Sequence, residues 1–304
     1  MKKLRIGLLH HGNENEIWGS VITTYYLQKA LLKMGHDVWR ISVTQHNDYP
    51  SLLSQKTDLI ICEGVPEWQV PKGIWDSTDK KIFWWLSDLF YDADTLCNSG
   101  FNAIATNSDD YKYLQSKGKC SQRIDLAVDP DIAKERRIAE YNTDFVYVGN
   151  YPHKSMNQMD ALFKPSCEIG SLSLWGSGWD DSPYSNYYKG VLPIGDLGKL
   201  YKSAKISLLL TEKKQQERLM FNNRVFEVLG SGCLAVSEVF QGLQNSEFGQ
   251  YIYFVSSKSE LQEIYEDMSS RVISKQIKEA QNFILSNHNY DIRANEFIRL
   301  YNTI

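Results

Sequence analysis

The sequence has few cysteines, and they form none of the patterns that mark a disulfide-bonded or zinc-binding protein. Its 304 residues include five cysteines, an odd number, and no C-x-x-C pair occurs. The spacing therefore predicts neither a disulfide framework nor a zinc site. Reduced thiols are typical of cytoplasmic proteins, so a cytoplasmic location is expected. The five cysteines are Cys62, Cys97, Cys120, Cys167 and Cys233.

Long apolar runs are also missing. No run approaches the roughly 20 residues that a membrane-spanning helix requires, so no membrane span is expected. The opening MKKLRIGLLHHG carries only a short apolar run that Arg5 interrupts. This pattern predicts a first strand rather than a signal peptide.

Neither sign of charge is in large excess. Lysine and arginine number 33 against 37 acidic residues, a formal net charge of −4. That balance carries no electrostatic signature for nucleic acid or an anionic membrane, and it mildly disfavours both partners. The phosphate-binding motifs G-x-G-x-x-G and G-x-x-x-x-G-K-[ST] are also missing, which gives little support to a dinucleotide-binding or P-loop protein.

What the sequence does contain is an alternation of short apolar runs with amphipathic stretches. Such alternation predicts βαβ units, parallel sheets covered by helices on both faces, and an α/β fold. Helices are expected between the runs, including 21–36, 49–56, 109–118, 155–164, 196–203, 222–231 and 258–268. The predicted strands are 4–10, 37–43, 57–64, 80–88, 101–108, 143–150, 171–178, 204–210, 233–238 and 251–256.

The alternation pauses once, over 123–143, where a proline and a charged run leave little periodicity beyond one short strand. A length of 304 residues predicts two domains, and we place their boundary within 132–142. The predicted domains are 1–138 and 139–304. Two helices, 271–287 and 290–302, are expected to end the chain.

Ligands of open parallel sheets bind outside the carboxyl ends of the strands, so the loops that follow strands hold the candidate residues. In the first half, the loop HHGNENEIWGS offers Gly12 and Gly19, which would let the backbone approach a ligand near a helix N-terminus. A plain turn with a helix cap explains this loop equally well. The strand 80–88 ends in Asp88, which could face the cleft or cap the next helix.

The second half repeats this layout. The segment VGNYPHKSM offers Gly149, Asn150 and Lys154 after a strand, and Lys154 could neutralise a diphosphate or be merely solvated. The segment WGSGW places Gly176 at a glycine-rich strand end, suited to the close approach of a planar or polar ligand.

The segment NNRVFEVLGSGCLAVSE, residues 222–238, gives the strongest indication of a ligand site. Asn222 or Asn223 is expected to cap a helix whose free N–H groups favour phosphate. Arg224 and Glu227 share one face of that helix, which could reflect a simple ion pair. The apolar strand that follows predicts that the helix is buried, and a buried carboxylate needs partners, which sugar hydroxyls would supply.

These segments together resemble the GT-B glycosyltransferases, specifically the group-1 transferases related to the spore-maturation protein CgeB. The resemblance covers nearly the whole chain and is strongest in the second half. Looser matches in the first half are WWLSD, TNSDDYKYL and LAVDP. The segments that carry it are FVYVGN (145–150), LWGSGW (174–179), KGVLPIGDLGKLYKSAKISLLL (189–210), NNRVFEVLGSGCLAVSE (222–238) and ILSNHNYDIRANEFI (284–298).

The resemblance implies a fold and a donor site. The fold would be two Rossmann-like αβα domains facing a central cleft, with the last helix, about 290–304, crossing back onto the first domain. The second domain would hold a nucleotide-diphosphate sugar, most simply a UDP-sugar, as co-substrate, with no cofactor and no metal. Glu227 would bind the ribose hydroxyls, while Arg224, Lys154 and the helix end near Asn223 would balance the diphosphate.

The resemblance also implies roles nearer the reacting sugar. The backbone around Val191 would read the base, and Gly12 and Gly19 would bring the first loop to the transferred sugar. Asp88 would face the sugar or acceptor, and it is the candidate general base if the reaction inverts the anomeric configuration. Retention of the anomeric configuration is the preferred expectation.

One departure from the family leaves the transferred sugar open. Many related retaining transferases carry a second glutamate eight residues before the one that matches Glu227, and this chain has Leu219 there. A GT-B sugar-nucleotide epimerase and a non-catalytic nucleotide-sugar-binding protein therefore remain alternatives to a transferase. The acceptor also stays open among a polysaccharide, a glycoprotein, a small molecule and a modified DNA base.

Overall fold

The computed structural model describes residues 2–12, 19–44, 57–86, 91–151 and 156–304, with the backbone alone for Trp85. Within these ranges the chain forms two separate parallel sheets with helices on their faces. No helix of the described ranges is long and apolar enough to cross a membrane.

The first sheet has six strands in the order β2-β1-β3-β4-β5-β6, and all of its neighbouring pairs are parallel. Its central strands are buried on both faces, as their continuous apolar runs predict. The strands are β1 (Arg5–His10), β2 (Asp37–Ser42), β3 (Leu59–Glu63), β4 (Lys81–Trp85), β5 (Ala103–Thr106) and β6 (Ser121–Arg123).

Four described helices accompany this sheet. The longest, α1, begins at Gly19 directly after the loop that follows β1. The third begins after Asp92, whose side chain accepts a hydrogen bond from the backbone N–H of Thr95 and so caps it. The four are α1 (Gly19–Lys33), α2 (Lys72–Trp75), α3 (Ala93–Cys97) and α4 (Asp110–Ser116).

The second sheet has five parallel strands in the order β11-β10-β9-β7-β8. It begins after a connection, residues 124–142, that contains only short 3-10 turns. The strands are β7 (Thr143–Val148), β8 (Leu172–Trp175), β9 (Ala204–Leu209), β10 (Leu234–Glu238) and β11 (Ile252–Val255).

The helices of the second half include three that are capped by side chains. Ser257, Ser270 and Asn289 each accept a hydrogen bond from a backbone N–H in the first turn of the helix that follows. The described helices are α5 (Met156–Ile169), α6 (Leu197–Ser203), α7 (Lys213–Glu217), α8 (Asn223–Ser231), α9 (Gln241–Gln244), α10 (Lys258–Asp267), α11 (Arg271–Asn287) and α12 (Tyr290–Thr303).

The last helix, α12, returns to the first half of the chain and packs on α1. The rings of Tyr26 and Tyr290 stack with centroids 5.8 Å apart, and Lys33 forms an ion pair with Asp291. Further along α12, Phe297 meets the buried Trp84 edge to face at 4.8 Å. The predicted α/β fold with two parallel-sheet domains is thus confirmed, including the helix that crosses back.

The structure differs from the sequence-based expectation in several places, among them the short helices α2, α3, α7 and α9, which were not predicted. The one short strand expected within 123–143 is displaced: the edge strand β6 spans Ser121–Arg123, and its three residues are too few and too polar to give an apolar run. Helix α5 continues through Pro165 to Ile169, whereas the expected helix ended at residue 164. The helix expected at 49–56 lies outside the described residues.

Candidate functional site

Each sheet has one point at which its strand order reverses, and a crevice opens there at the carboxyl ends. In the first sheet this point lies between β1 and β3, and in the second between β7 and β9. Two hydrogen bonds join the halves near these strand ends: Asn107, directly after β5, donates to the carbonyl oxygen of Phe221, and Asn223 at the start of α8 donates to that of Gly19. The two crevices therefore lie along one cleft.

Arg224 lies at the crevice of the second sheet. Its Nη1 donates to the carbonyl oxygen of Val148 and its Nη2 to that of Leu210, both at 2.9 Å. These carbonyls close β7 and follow β9, the two strands that flank the reversal. The guanidinium also lies over the ring of Tyr147, with Cζ 5.1 Å from the centroid. Its positive charge is thus fixed at the strand ends.

Glu227 lies one helical turn further along α8 and is buried, with 4% of its surface exposed. The hydroxyl group of the fully buried Tyr201 donates to its Oε2 at 3.5 Å. Burial raises the pKa of this carboxyl to about 7, against the opposing effects of the Arg224 charge and the Tyr201 bond. No salt bridge to Glu227 occurs among the described residues.

The N-terminus of α8 carries two asparagines with different roles. Asn222 occupies the N-cap position, but its side chain does not cap the helix and instead donates to the carbonyl oxygen of Leu210 at 3.1 Å. Asn223 reaches across the cleft, where its Nδ2 donates to the carbonyl oxygen of Gly19 and to the hydroxyl of Thr23, both at 3.3 Å. Neither side chain accepts a hydrogen bond from the free N–H groups at the start of the helix.

The glycine-rich strand ends fit closely together. Gly176 has φ +130°, and a Cβ atom there would lie 2.4 Å from the carbonyl oxygen of Gly149. A Cβ on Gly149 would lie 2.9 Å from Nη1 of Arg224. Asn150 accepts a hydrogen bond from the backbone N–H of Ser177 through Oδ1, at 2.8 Å. These residues line the wall beside Arg224, and only glycine fits at Gly176.

The remaining candidates are more scattered. Val191 is exposed, and the carbonyl oxygen of the nearby Ile194 accepts a bond from the Tyr26 hydroxyl of α1 at 3.4 Å. Gly12 has φ +92°, and its carbonyl oxygen accepts from the hydroxyl of Ser42 at 2.6 Å. Asp88 and Lys154 lie outside the described residues.

The segment between α7 and α8 crosses to the first half of the chain. Leu219 has φ +55°, the only positive φ of a described residue other than glycine. The side chain that follows, Met220, is fully buried in an apolar cluster of the first domain that includes Leu9 and Cys62. At Leu219, where the resemblance drawn from the sequence implies a glutamate, the chain has a strained backbone and no carboxylate.

Two D-x-D triplets, 92–94 and 129–131, serve local structure. Asp92 caps α3. Asp129 and Asp131 both accept hydrogen bonds from the ammonium group of Lys29, at 2.6 and 2.7 Å. In the described part of the chain no group of side chains is arranged to hold a metal ion.

The expectations drawn from the sequence missed Glu63 and the tyrosines near Glu227. Glu63 ends β3 and is buried, with 7% of its surface exposed. Tyr26 and Tyr290 have raised pKa values, chiefly through burial, and both lie within electrostatic reach of Glu227. In the sequence, Glu63 is recognisable as a carboxylate at the end of an apolar run. No sequence pattern marks the two tyrosines.

Comparison with known proteins concerns the second half of the chain and the fold as a whole. Residues 156–299 match a protein-family model described as "Glycosyl transferase-like". No curated protein matches the chain.

Solved structures match the chain along its whole length. A sucrose-phosphate synthase from Thermosynechococcus elongatus matches with a TM-score of 0.71 and 13% identity over 99% of each chain. An α-glucosyltransferase in complex with UDP-glucose and DNA containing an abasic site matches with a TM-score of 0.70 and 11% identity, over 99% of this chain and 100% of its own. T4 phage β-glucosyltransferase matches with a TM-score of 0.61 and 13% identity, over 98% and 99%.

Identities this low establish the fold alone. The family-model match independently covers the half of the chain that contains Arg224 and Glu227. Residues 156–299 therefore match the model of a glycosyl transferase-like domain, and the chain as a whole has the GT-B glycosyltransferase fold.

Proposed function

We propose that this GT-B glycosyltransferase moves a sugar from a UDP-sugar to a hydroxyl group of an acceptor, with retention of configuration and without a metal ion. The observation that carries the proposal is the pair formed by Arg224 and Glu227 on α8. Arg224 fixes a positive charge at the strand ends, and Glu227 places a buried carboxyl group one helical turn away. A diphosphate and a ribose present complementary groups at that spacing.

The donor would bind to the second domain, which we take as 139–304. Glu227 would accept hydrogen bonds from the ribose hydroxyls, which would compensate a buried carboxyl group whose one hydrogen-bond partner among the described residues is Tyr201. Arg224, Lys154 and the N–H groups of α8 near Asn223 would balance the charge of the diphosphate. This positive charge takes the role that a metal ion has in other transferases.

The strand-end loops would accommodate the rest of the donor. The backbone at Gly149, Asn150 and Gly176 allows close approach, because Gly176 holds a conformation that excludes a side chain. The exposed backbone around Val191 would bind the base. UDP is the favoured nucleotide, and several structures of the same fold contain UDP or UDP-glucose.

The acceptor would bind to the first domain, 1–138. Gly12 and Gly19 would bring the loop between β1 and α1 close to the transferred sugar. Asp88 remains the candidate base for an inverting reaction. The order of motifs in the second domain favours a place among the CgeB-like transferases, and the unpaired cysteines favour a cytoplasmic enzyme.

A thermal-shift panel of UDP-, GDP-, TDP- and CMP-sugars tests the donor. We expect the UDP-sugars to raise the melting temperature most, since a ligand that binds the folded state stabilises it. Calorimetry with UDP should then show at least about tenfold weaker binding for Glu227→Ala, a loss of about 1.4 kcal/mol. The absence of any shift with all four nucleotide classes would contradict the proposal.

A further inference from the structure

Leu219 lies where the chain turns away from the end of α7, in a backbone conformation that favours glycine. The N–H of Leu219 donates to the carbonyl oxygen of Gln216 at 3.2 Å. The N–H of Met220 donates to that of Gln215 at 2.9 Å. This pair of bonds closes a helix when the residue after its cap has a positive φ, and glycine is strongly preferred there. Leu219 has φ +55°, which is unfavourable for a leucine. A turn that only ended α7 would carry glycine or asparagine.

The side chain of Leu219 is not buried either, since 43% of the residue is exposed. It lies over the start of α9, where a Cβ atom on Gly242 would be 2.4 Å from Cδ2 of Leu219 and 2.7 Å from Cε2 of Phe240. Val239, which directly follows β10, is 55% exposed, whereas Phe240 is buried. Two exposed aliphatic residues thus lie next to a buried aromatic ring at the carboxyl end of the second sheet.

The residues that follow Leu219 contact the first half of the chain. Met220 is fully buried in the apolar cluster of the first domain. The carbonyl oxygen of Phe221 accepts a hydrogen bond from Asn107 at 3.1 Å. Asn223 then donates to the carbonyl oxygen of the first residue of α1. Leu219 therefore lies at the cleft, immediately before the residues that join its two sides.

The position of Leu219 relative to α8 indicates which part of the donor it would meet. The proposed ribose site, Glu227, lies one turn into α8, and the proposed diphosphate site lies at the helix N-terminus near Asn223. A donor in this orientation runs from Glu227 past Asn223, and the sugar comes next, because it is bonded directly to the diphosphate. The four peptide units from Leu219 to Asn223 span at most about 14 Å. The sugar would thus lie on the side of Leu219.

We propose that Leu219 and Val239 select a deoxysugar donor, whose sugar lacks a hydroxyl group on the face turned toward them. The inference rests on the proposed function, since it requires a UDP-sugar bound along α8. Carbon-bound hydrogens or a methyl group of the sugar would bury apolar area against the two side chains. A hydroxyl group at that place would leave water, and neither side chain offers it a hydrogen-bond partner, which weakens binding. This contact would compensate for the unfavourable φ of Leu219.

Calorimetry on the full chain tests this selection. The ligands are UDP, UDP-glucose and three analogues of UDP-glucose that lack the hydroxyl group at C3, C4 or C6. We expect one analogue to bind at least about tenfold more tightly than UDP-glucose, because an apolar site discriminates against an added hydroxyl group by about 10- to 100-fold. Leu219→Gln supplies a hydrogen-bonding group and should bring these two affinities to within about twofold, with an unchanged Kd for UDP.

Leu32→Gln is the matched control, because Leu32 is exposed to a similar extent, 49%. It lies in the last turn of α1, about 20 Å along that helix from the end at the cleft. This variant should keep the wild-type preference for the deoxy analogue.

The possible results separate the inference from the proposed function. A wild-type protein that binds UDP, but binds UDP-glucose as tightly as every analogue, would overturn the selection of a deoxysugar alone. An unchanged preference in Leu219→Gln would remove Leu219 from the sugar site. A lower melting temperature of Leu219→Gln together with weaker binding of UDP itself would make Leu219 a structural residue. A wild-type protein that binds no UDP would overturn the proposed function and this inference with it.

Discussion

The side-chain amide of Asn223 donates a hydrogen bond of 3.3 Å to the backbone carbonyl oxygen of Gly19, 204 residues earlier in the chain. Asn223 begins α8 in the second half, and Gly19 begins α1 in the first. Thr23, one turn along α1, contacts the same amide. The N-termini of α1 and α8 are thus joined directly across the cleft. A donor diphosphate bound to α8 would lie beside this junction.

Asn223→Ala should loosen the junction. The variant loses the hydrogen bonds of one amide, each worth about 0.5–1.5 kcal/mol, while both domains keep their cores. We expect faster amide hydrogen exchange at the start of α1 and a larger radius of gyration in small-angle scattering. Asn295→Ala is the control, because among the described residues its amide donates only to the exposed carbonyl oxygen of Asp291 within α12. Equal exchange in both variants would argue against a junction at Asn223.

Arg224→Ala should affect both stability and nucleotide binding. The change leaves the carbonyl oxygen of Val148 without its guanidinium donor, whereas that of Leu210 keeps the bond from Asn222. An unsatisfied buried polar group costs about 1–3 kcal/mol. We expect urea unfolding to show a loss of that size and calorimetry to show at least about tenfold weaker UDP binding.

Arg224→Lys separates the two effects. A single ammonium group keeps the charge but cannot donate to two carbonyl oxygens in the geometry of a guanidinium. It should recover part of the UDP affinity and little of the stability. Arg271→Ala, at the exposed start of α11, should change neither quantity. Full UDP affinity in Arg224→Ala would exclude this side chain from the diphosphate site.

Gly176→Ala should distort the wall of the proposed donor site. Its φ of +130° is unfavourable for alanine, and the added Cβ would lie 2.4 Å from the carbonyl oxygen of Gly149. Strain of this kind costs about 1–3 kcal/mol. We expect a matching loss of unfolding free energy and weaker UDP binding. Gly195→Ala is the control, since a Cβ there meets nothing within 4 Å. A Gly176→Ala variant as stable as Gly195→Ala would contradict the close packing.

Most of the sheet architecture was predictable because buried parallel strands read as apolar runs. All ten strands expected from the sequence occur, each within or close to its expected bounds. The three residues of β6 gave no such run. The helix expected at 155–164 continues past Pro165 to Ile169, since tertiary packing of its buried residues, among them Leu162 and Phe163, outweighs the one lost backbone bond.

The candidate site was predictable only in part. The burial of Glu227 followed from the apolar strand after it, and the structure agrees. The hydrogen bonds of Arg224 could not be predicted, because their acceptors are backbone carbonyls 76 and 14 residues away. Asn222 was expected as a possible cap, but its side chain bonds to Leu210 instead. Glu63 lay within the predicted strand 57–64 and was not singled out, since its burial at the end of β3 follows only from the folded sheet.

The carboxyl group of Glu227 should make the protein less stable as the pH rises. Its pKa is about 7 in the folded state and 4.5 without the protein environment, so the folded state holds the proton more tightly. Its contribution to stability is complete below about pH 4.5 and is lost as the pH rises through 7. A shift of this size corresponds to roughly 3 kcal/mol. Glu227→Gln should therefore be increasingly more stable than the wild type between pH 5 and pH 8.

Urea unfolding of both proteins across that pH range measures the difference. Glu263→Gln, on the exposed face of α10, should show no such trend. The stabilised Glu227→Gln variant should at the same time bind UDP more weakly, since an amide group replaces the carboxylate that accepts the ribose hydroxyls. A variant that loses both stability and UDP binding would make Glu227 part of the structural core. A gain in stability with a loss of UDP binding would mean that the buried carboxyl group is retained for its ligand.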